Sequence, residues 1–247
     1  MAFKYIKKIL FNRIEFLDID IKEFDKLILN NGLFVFPSGP GLATIDKDTV
    51  YHKSLINADY VFFDSGFFVL LLKFLKKIKV KKFSGYLFLK KLFHYLKKNP
   101  NLSILCVDPD KRKSLSNSLL LKSLGIKRAY SYIAPKYNIK KIHDIDLLSK
   151  IELYKPDIVI TNIGGGTQEI LGSYIKKNTK FNIKIFCTGA AISFFTGEQA
   201  KINETLDKIY FGWLVRIIFN PIVFLPRYLK AIRLFGIVFN SEIKINN

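Results

Sequence analysis

Short apolar runs alternate along this chain with longer stretches whose apolar positions recur every three or four residues. "LFVFP" (33–37), "YVFF" (60–63), "NLSILCV" (101–107), "DIVIT" (157–161) and "IKIFC" (183–187) are rich in β-branched and aromatic residues, which predicts buried strands. A shorter strand is expected near 127–132. Helical patterns lie between them: 46–58, with Asp46 placed to cap it; an apolar helix from about Gly66 to Lys77; 86–99, with a lysine face. Others are expected at 108–125, opening on Asp-Pro and closing on Gly125, near 144–153, and from Thr167. This alternation predicts an α/β fold, a mostly parallel sheet with helices on both faces, Rossmann-like in plan.

Sheets of this kind bind ligands beyond the carboxyl ends of their strands, where the strand order reverses. That rule puts Ser38-Gly39, Asp64-Ser65-Gly66, Val107-Asp108, Gly164 to Glu169 and Thr188-Gly189 on the candidate face. After Gly197 the alternation stops. The remainder is aromatic, apolar and basic, and reads as two or three helices interrupted by Pro221 and Pro226. The chain thus divides into an α/β core, 1–197, and a helical, basic, membrane-docking appendage, 198–247. Arg227, Lys230 and Arg233 are spaced by three and share a helix face, with Leu229, Ile232 and Phe235 on another. An interfacial helix has this pattern, its cations meeting lipid phosphates or a diphosphate, and Trp213 and Tyr228 suit the headgroup level. A docking helix with a solvated basic face has it too.

Composition narrows the partners. The 247 residues, 49% hydrophobic and 24% charged, suffice for one α/β domain and an appendage and exclude a disordered chain. A net charge of +20 admits an anionic membrane, a phosphorylated substrate or nucleic acid; it also fits a compositional bias, since Lys, Ile, Asn and Phe are all abundant. The aromatics lie inside apolar runs rather than between arginines, which argues against nucleic acid. Neither "YVFFDSGFFVLLLKF" nor "YFGWLVRIIFNPIVFLPRYL" is an uninterrupted apolar span, and the opening residues have scattered charges instead of a leader's apolar core. A cytoplasmic protein, peripheral to a membrane, is expected. Cys106 and Cys187 sit in short apolar runs and read as buried hydrophobes, with no ligand spacing for a metal. His52, His94 and His143 suggest no triad. Oligomeric state is left open, a homo-oligomer included.

Two stretches carry candidate chemistry. Asp64 ends an apolar strand, so it can act as a general base for a hydroxyl or cap the helix that begins near Gly66. In "IGGGTQE" (163–169) a strand runs into three glycines and a helix start. Glycines permit close backbone approach, and the helix N-terminus offers free N–H groups and a positive dipole end. The stretch matches neither the P-loop nor the dinucleotide glycine pattern. It is either a strand-to-helix turn with Thr167 as cap and Glu169 facing the dipole, or a ligand turn whose Gln168 and Glu169 bond a sugar hydroxyl.

Five segments in register, from about 33 to 235, resemble the WecG/TagA/CpsF glycosyltransferases. "GGGTQE" is similar to that family's G-x-P-K-Q-E, "IFCTGAAISFFTG" (185–197) to its G-V-G-G-x-F-D-x-x-x-G, and "FGWLVRIIFNP" (211–221) to its L-E-W-L-x-R-L-x-x-x-P. "LINADYVFFDSGFFV" (55–69) and "VKKFSGYLFLKKL" (80–92) resemble I-x-x-A-D-x-x-x-x-D-G-x-x-V and x-x-R-x-x-G-x-D-L. The resemblance implies an inverting transferase that needs no metal or other cofactor. Its donor would be a UDP-sugar of the N-acetylmannosamine type. Its acceptor would be a polyprenyl-diphosphate-linked sugar at the cytoplasmic membrane face, in teichoic acid or cell-surface polysaccharide synthesis. It places Asp64 as the base, and Ser38, Lys82, Gly85, Gly164, Gln168, Glu169, Gly189, Thr196 and Gly197 around the substrates. Trp213, Arg216, Arg227, Lys230 and Arg233 would face the acceptor diphosphate or the membrane. The chain departs from the pattern at Ser38 (for Asn), Lys82 (for Arg), Gly165-Gly166-Thr167 (for x-Pro-Lys), Ser193 (for Asp) and Gly212 (for Glu), and inserts Ser65. These departures also allow a scaffold of the same fold that binds nucleotide-sugar or lipid without chemistry.

Overall fold

The computed structural model describes residues 6–198, 217–218 and 221–246. The chain opens with a hairpin of β1 (Lys7–Phe11) and β2 (Ile14–Asp18), then α1 (Phe24–Leu27), β3 (Gly32–Val35), α2 (Gly39–Leu42) and α3 (Thr49–Ile56). β4 (Tyr60–Phe62), α4 (Gly66–Leu75), α5 (Gly85–Lys98), β5 (Ser103–Asp108), α6 (Lys111–Ser123) and β6 (Arg128–Ile133) follow. Next come α7 (Ile145–Tyr154), β7 (Ile158–Thr161), α8 (Thr167–Asn178) and β8 (Lys184–Cys187), and, near the C-terminus, α9 (Pro221–Ala231), α10 (Arg233–Asn240) and β9 (Ile243–Asn246).

The strands form one sheet in the order β6-β5-β7-β8-β3-β4-β2-β1-β9. The run from β6 to β2 is parallel; β1 is antiparallel to β2, and β9 to β1. Parallel strands are covered on both faces, so they read as continuous apolar runs, and every residue of β5 is buried. Alternate residues serve opposite layers. Leu33, Val35, Val61, Val107 and Cys187 meet α3, α4, α7, α8 and α10. Phe34, Phe36, Phe62, Cys106 and Phe186 meet α1, α5 and α6. The two cysteines are thus buried, unpaired and on opposite faces, as the apolar runs around them predict.

The structure differs from the sequence reading in four places. The β1–β2 hairpin turns on Asn12 and Arg13, both at positive φ (46° and 66°), the backbone of a two-residue primed turn with Arg where Gly is usual. Ile9, Phe11, Ile14 and Phe16 point inward, while Lys8 and Glu15 pair outside at 2.7 Å. The end of the chain is not helical throughout, because Ile243–Asn246 returns to the sheet as β9. Pro226 does not interrupt α9: it sits inside the helix, while Pro221 takes the first position, where a missing N–H costs nothing. Two helices start later than expected, each at the last acid before it. Asp48 caps α3 by accepting from Tyr51 N (3.0 Å), and Asp110 caps α6 by accepting from Lys113 N (2.9 Å). A cap must reach the N–H three residues on, and neither Asp46 nor Asp108 can.

Strand order reverses beside β3, which has β4 on one side and the late-arriving β8 on the other. A second reversal lies between β5 and β7. The loops leaving β3, β4, β7 and β8 therefore gather over the first crevice.

Candidate active site

The segment before α5 is laid along the end of β4 by a bond from Phe83 N to Phe63 O (3.0 Å). That contact brings Gly85 to Asp64, and the Gly85 N–H donates to Asp64 Oδ1 at 2.9 Å. Of the two roles open to Asp64, capping is filled by its neighbour: Ser65 Oγ accepts from Phe68 N (3.2 Å) and caps α4. The inserted serine thereby leaves the partly buried Asp64 carboxylate at the carboxyl end of the strand. Lys82, also partly buried, stands just upstream of this turn.

At the exit of β7, Gly166 has φ +89° and is itself the N-cap of α8; Thr167 is the first helical residue and not the cap. A glycine cap has no side-chain oxygen, so Glu169 reaches back. Its Oε2 accepts from Gly166 N (2.6 Å) and its Oε1 from Gln168 Nε2 (3.0 Å). Glu169 is buried, and burial pushes its carboxyl up to about 7 against the pull of these hydrogen bonds, with the Asp64 charge adding to the rise. Gln168 packs on Gly189, which has φ +57° and where a Cβ would come within 3.1 Å of the amide. The positive φ favours glycine there, and a side chain would press on the Gln168 amide. Gln168 Oε1 and Thr188 Oγ1 are buried without a hydrogen-bond partner among the described residues.

Ser38 leaves β3 and caps the short α2, accepting from Gly41 N at 3.4 Å. A Cβ on Gly165 would lie 3.9 Å from Ser38 Oγ, and one on Gly39 only 2.8 Å from Ser65 Oγ. The exits of β3, β4 and β7 therefore converge. Between them opens a cleft of about 340 Å³, lined by Ser38, Gly41, Tyr51, the turn from Gly164 to Thr167, and Arg227 and Tyr228 of α9. Asp64 is close enough that its charge acts on both Glu169 and Tyr51.

The structure brings Ser38, Gly164 and Arg227 to one cleft, with Asp64, Gly85, Gln168, Glu169 and Gly189 packed around the same crevice. Thr196 and Gly197 lie outside the cleft lining: Thr196 Oγ1 bonds Ser193 O (3.5 Å), and Gly197 is an exposed turn at φ +79°. Lys230 is exposed. Arg233 pairs with both oxygens of Asp46, Nη1 at 2.8 Å from Oδ1, and also reaches Ala43 O at 2.9 Å. It fastens α10 to the loop after α2, an arrangement that also explains why Asp46 is not a cap. Trp213 and Arg216 lie outside the described residues. Tyr51 and Gly41 line the cleft without any sequence signal, since Tyr51 falls in the apolar register of α3.

A family model described as the glycosyl transferase WecG/TagA/CpsF family matches residues 10–247. The chain belongs to the WecG/TagA/CpsF glycosyltransferase family. No curated protein sequence matches it significantly. As a WecG/TagA/CpsF glycosyltransferase it is a transferase, in a family whose substrates are sugar donors and acceptors of polysaccharide synthesis. The match runs from β1 through β9, so the edge hairpin and the returning strand fall within the family unit together with the parallel core. Among the described residues of this family member, no helix is long and apolar enough to cross a membrane.

Proposed function

We propose that this chain transfers an N-acetylmannosamine-type sugar, with inversion, from a UDP-sugar to a polyprenyl-diphosphate-linked acceptor. The observation that carries the reading is Asp64: a carboxylate at a strand's carboxyl end, oriented by Gly85 N–H and relieved of capping by Ser65. In the reaction the acceptor hydroxyl gives its proton to Asp64 as its oxygen attacks the anomeric carbon. The bond from that carbon to the diphosphate oxygen breaks, and UDP leaves with the electron pair. The positive end of the α8 dipole, the glycine turn and Arg227 supply positive potential for the diphosphate, in place of a P-loop lysine or a metal.

The outer surface of the C-terminal helices supports a peripheral membrane position. Ile222, Leu225 and Leu229 of α9, Ile232 after it, and Phe235 and Phe239 of α10 are all exposed and recur at three- and four-residue spacing, with Arg227 and Lys230 exposed among them. Phe74 is 70% exposed on α4, and Lys76 Nζ ties α4 to α10 through Phe239 O at 2.9 Å. Arg216, outside the described residues, is proposed to meet the acceptor diphosphate or the membrane.

A panel of nucleotide-sugars tests the donor assignment by thermal shift. A ligand at 100 times its Kd adds about 2.7 kcal/mol to stability, so UDP-sugars are expected to raise Tm by several degrees, UDP-N-acetylmannosamine most. A flat response to every UDP-sugar would contradict the assignment.

A further inference from the structure

We propose that the Tyr51 hydroxyl is a substrate contact, donating a hydrogen bond to a phosphate oxygen of the diphosphate bound in the cleft. The proposal rests on the transferase reading above and adds to it a residue that the family pattern does not mark. Tyr51 sits on the first turn of α3, its own N–H held by Asp48. Its ring belongs to the core, 1% exposed, yet its hydroxyl has no hydrogen-bond partner among the described residues. A buried hydroxyl left unpaired destabilises a fold, and phenylalanine would fill the same space without that cost. Retaining tyrosine there calls for an acceptor that arrives from outside the described chain.

The position of the hydroxyl says what acceptor that is. Gly41 lets the hydroxyl approach the backbone closely: a Cβ on Gly41 would lie 2.7 Å from Tyr51 Oη and 3.4 Å from Ser38 Oγ, and all three residues line the cleft. Both hydroxyls thus border one space in the cleft. The start of α8, a 12-residue helix whose Gly166 N–H is taken by Glu169, borders the same cleft through Gly164 to Thr167, and Arg227 lines it too. A helix N-terminus, an arginine and a hydroxyl donor together suit phosphate oxygens. Burial and the charges of Glu169, Asp48 and Asp64 keep the phenol protonated, so it enters as a donor. The diphosphate belongs to either the UDP leaving group or the lipid-linked acceptor, and the two sources are separable with soluble probes.

The test uses the full chain and the Tyr51→Phe variant, with Kd for UDP and for geranyl diphosphate measured by calorimetry and Tm measured without ligand. The unliganded variant should melt at or above the wild-type temperature, and its Kd for one of the two probes should rise about tenfold, the loss expected for one hydrogen bond to an anion. The probe affected identifies the source. Gly41→Ala, which crowds the hydroxyl at a φ outside the left-handed region, should weaken the same probe. Unchanged Kd values for both probes in Tyr51→Phe would overturn the proposal alone. A lower unliganded Tm would also overturn it, by showing that the hydroxyl serves the fold. Failure of the wild-type chain to bind either probe would overturn the transferase reading beneath it.

Discussion

Asp64→Asn is expected to lower sugar transfer by about 10²- to 10⁴-fold, the range for loss of a general base, while UDP binding stays within about twofold of wild type. The substitution removes the carboxylate charge while keeping the contact with Gly85. Asn keeps an Oδ1 that can accept from Gly85 N–H, so the 2.9 Å contact that positions the residue survives. The α4 cap survives as well, because Ser65 makes it. What disappears is a site for the acceptor proton. Asp64→Ala, by contrast, also removes the partner of Gly85 N–H and is expected to cost stability as well as rate. Single-turnover transfer and UDP calorimetry on the two variants separate these effects; wild-type turnover in Asp64→Asn would remove Asp64 from the reaction.

A second large effect is a pH dependence of stability at Glu169. Its carboxyl is raised from 4.5 to about 7 by burial, with the Asp64 charge contributing, so the folded chain holds a proton that the unfolded chain releases. The resulting stabilisation is fully present below about pH 4.5 and is lost as pH rises through about 7. Above that the ionised, buried carboxylate carries a constant penalty of about 3 kcal/mol, an order-of-magnitude figure. Glu169→Gln removes the titration. The amide also disturbs the bonds to Gly166 N and Gln168 Nε2, which lowers Tm by a nearly pH-independent amount. The diagnostic quantity is therefore the variant-minus-wild-type Tm, which should increase by several degrees between pH 5 and pH 8.5. A difference that stays flat across that range would show that Glu169 does not change charge in it.

The parallel core was legible because strands buried on both faces spell apolar runs, and the acid, serine and glycines ending those runs fell at the crevice where β3 meets β8. The edge was not legible. β1 and β2 break their apolar runs with Lys7 and Asp18 on one face and Lys8 and Glu15 on the other, and their turn uses Arg13 at a φ that sequence rules reserve for glycine. Asp64 was visible as a strand-end carboxylate, but its release from capping depends on which of two adjacent side chains faces Phe68 N. The bond between Arg233 and Asp46 joins residues 187 positions apart, and periodicity along one helix cannot show it. The unpaired hydroxyl of Tyr51 is likewise a property of packing, produced by a glycine ten residues earlier and a helix from the far side of the crevice.

The proposed transfer takes place at the crevice between β3, β4, β7 and β8. Its most direct test is UDP release by the purified chain from UDP-N-acetylmannosamine, with a polyprenyl-diphosphate-linked sugar presented in anionic vesicles. Release is expected to require both donor and acceptor, with a glycosylated lipid formed in equal amount. Binding of the UDP-sugar with no acceptor-dependent release, the behaviour of a scaffold, would contradict it.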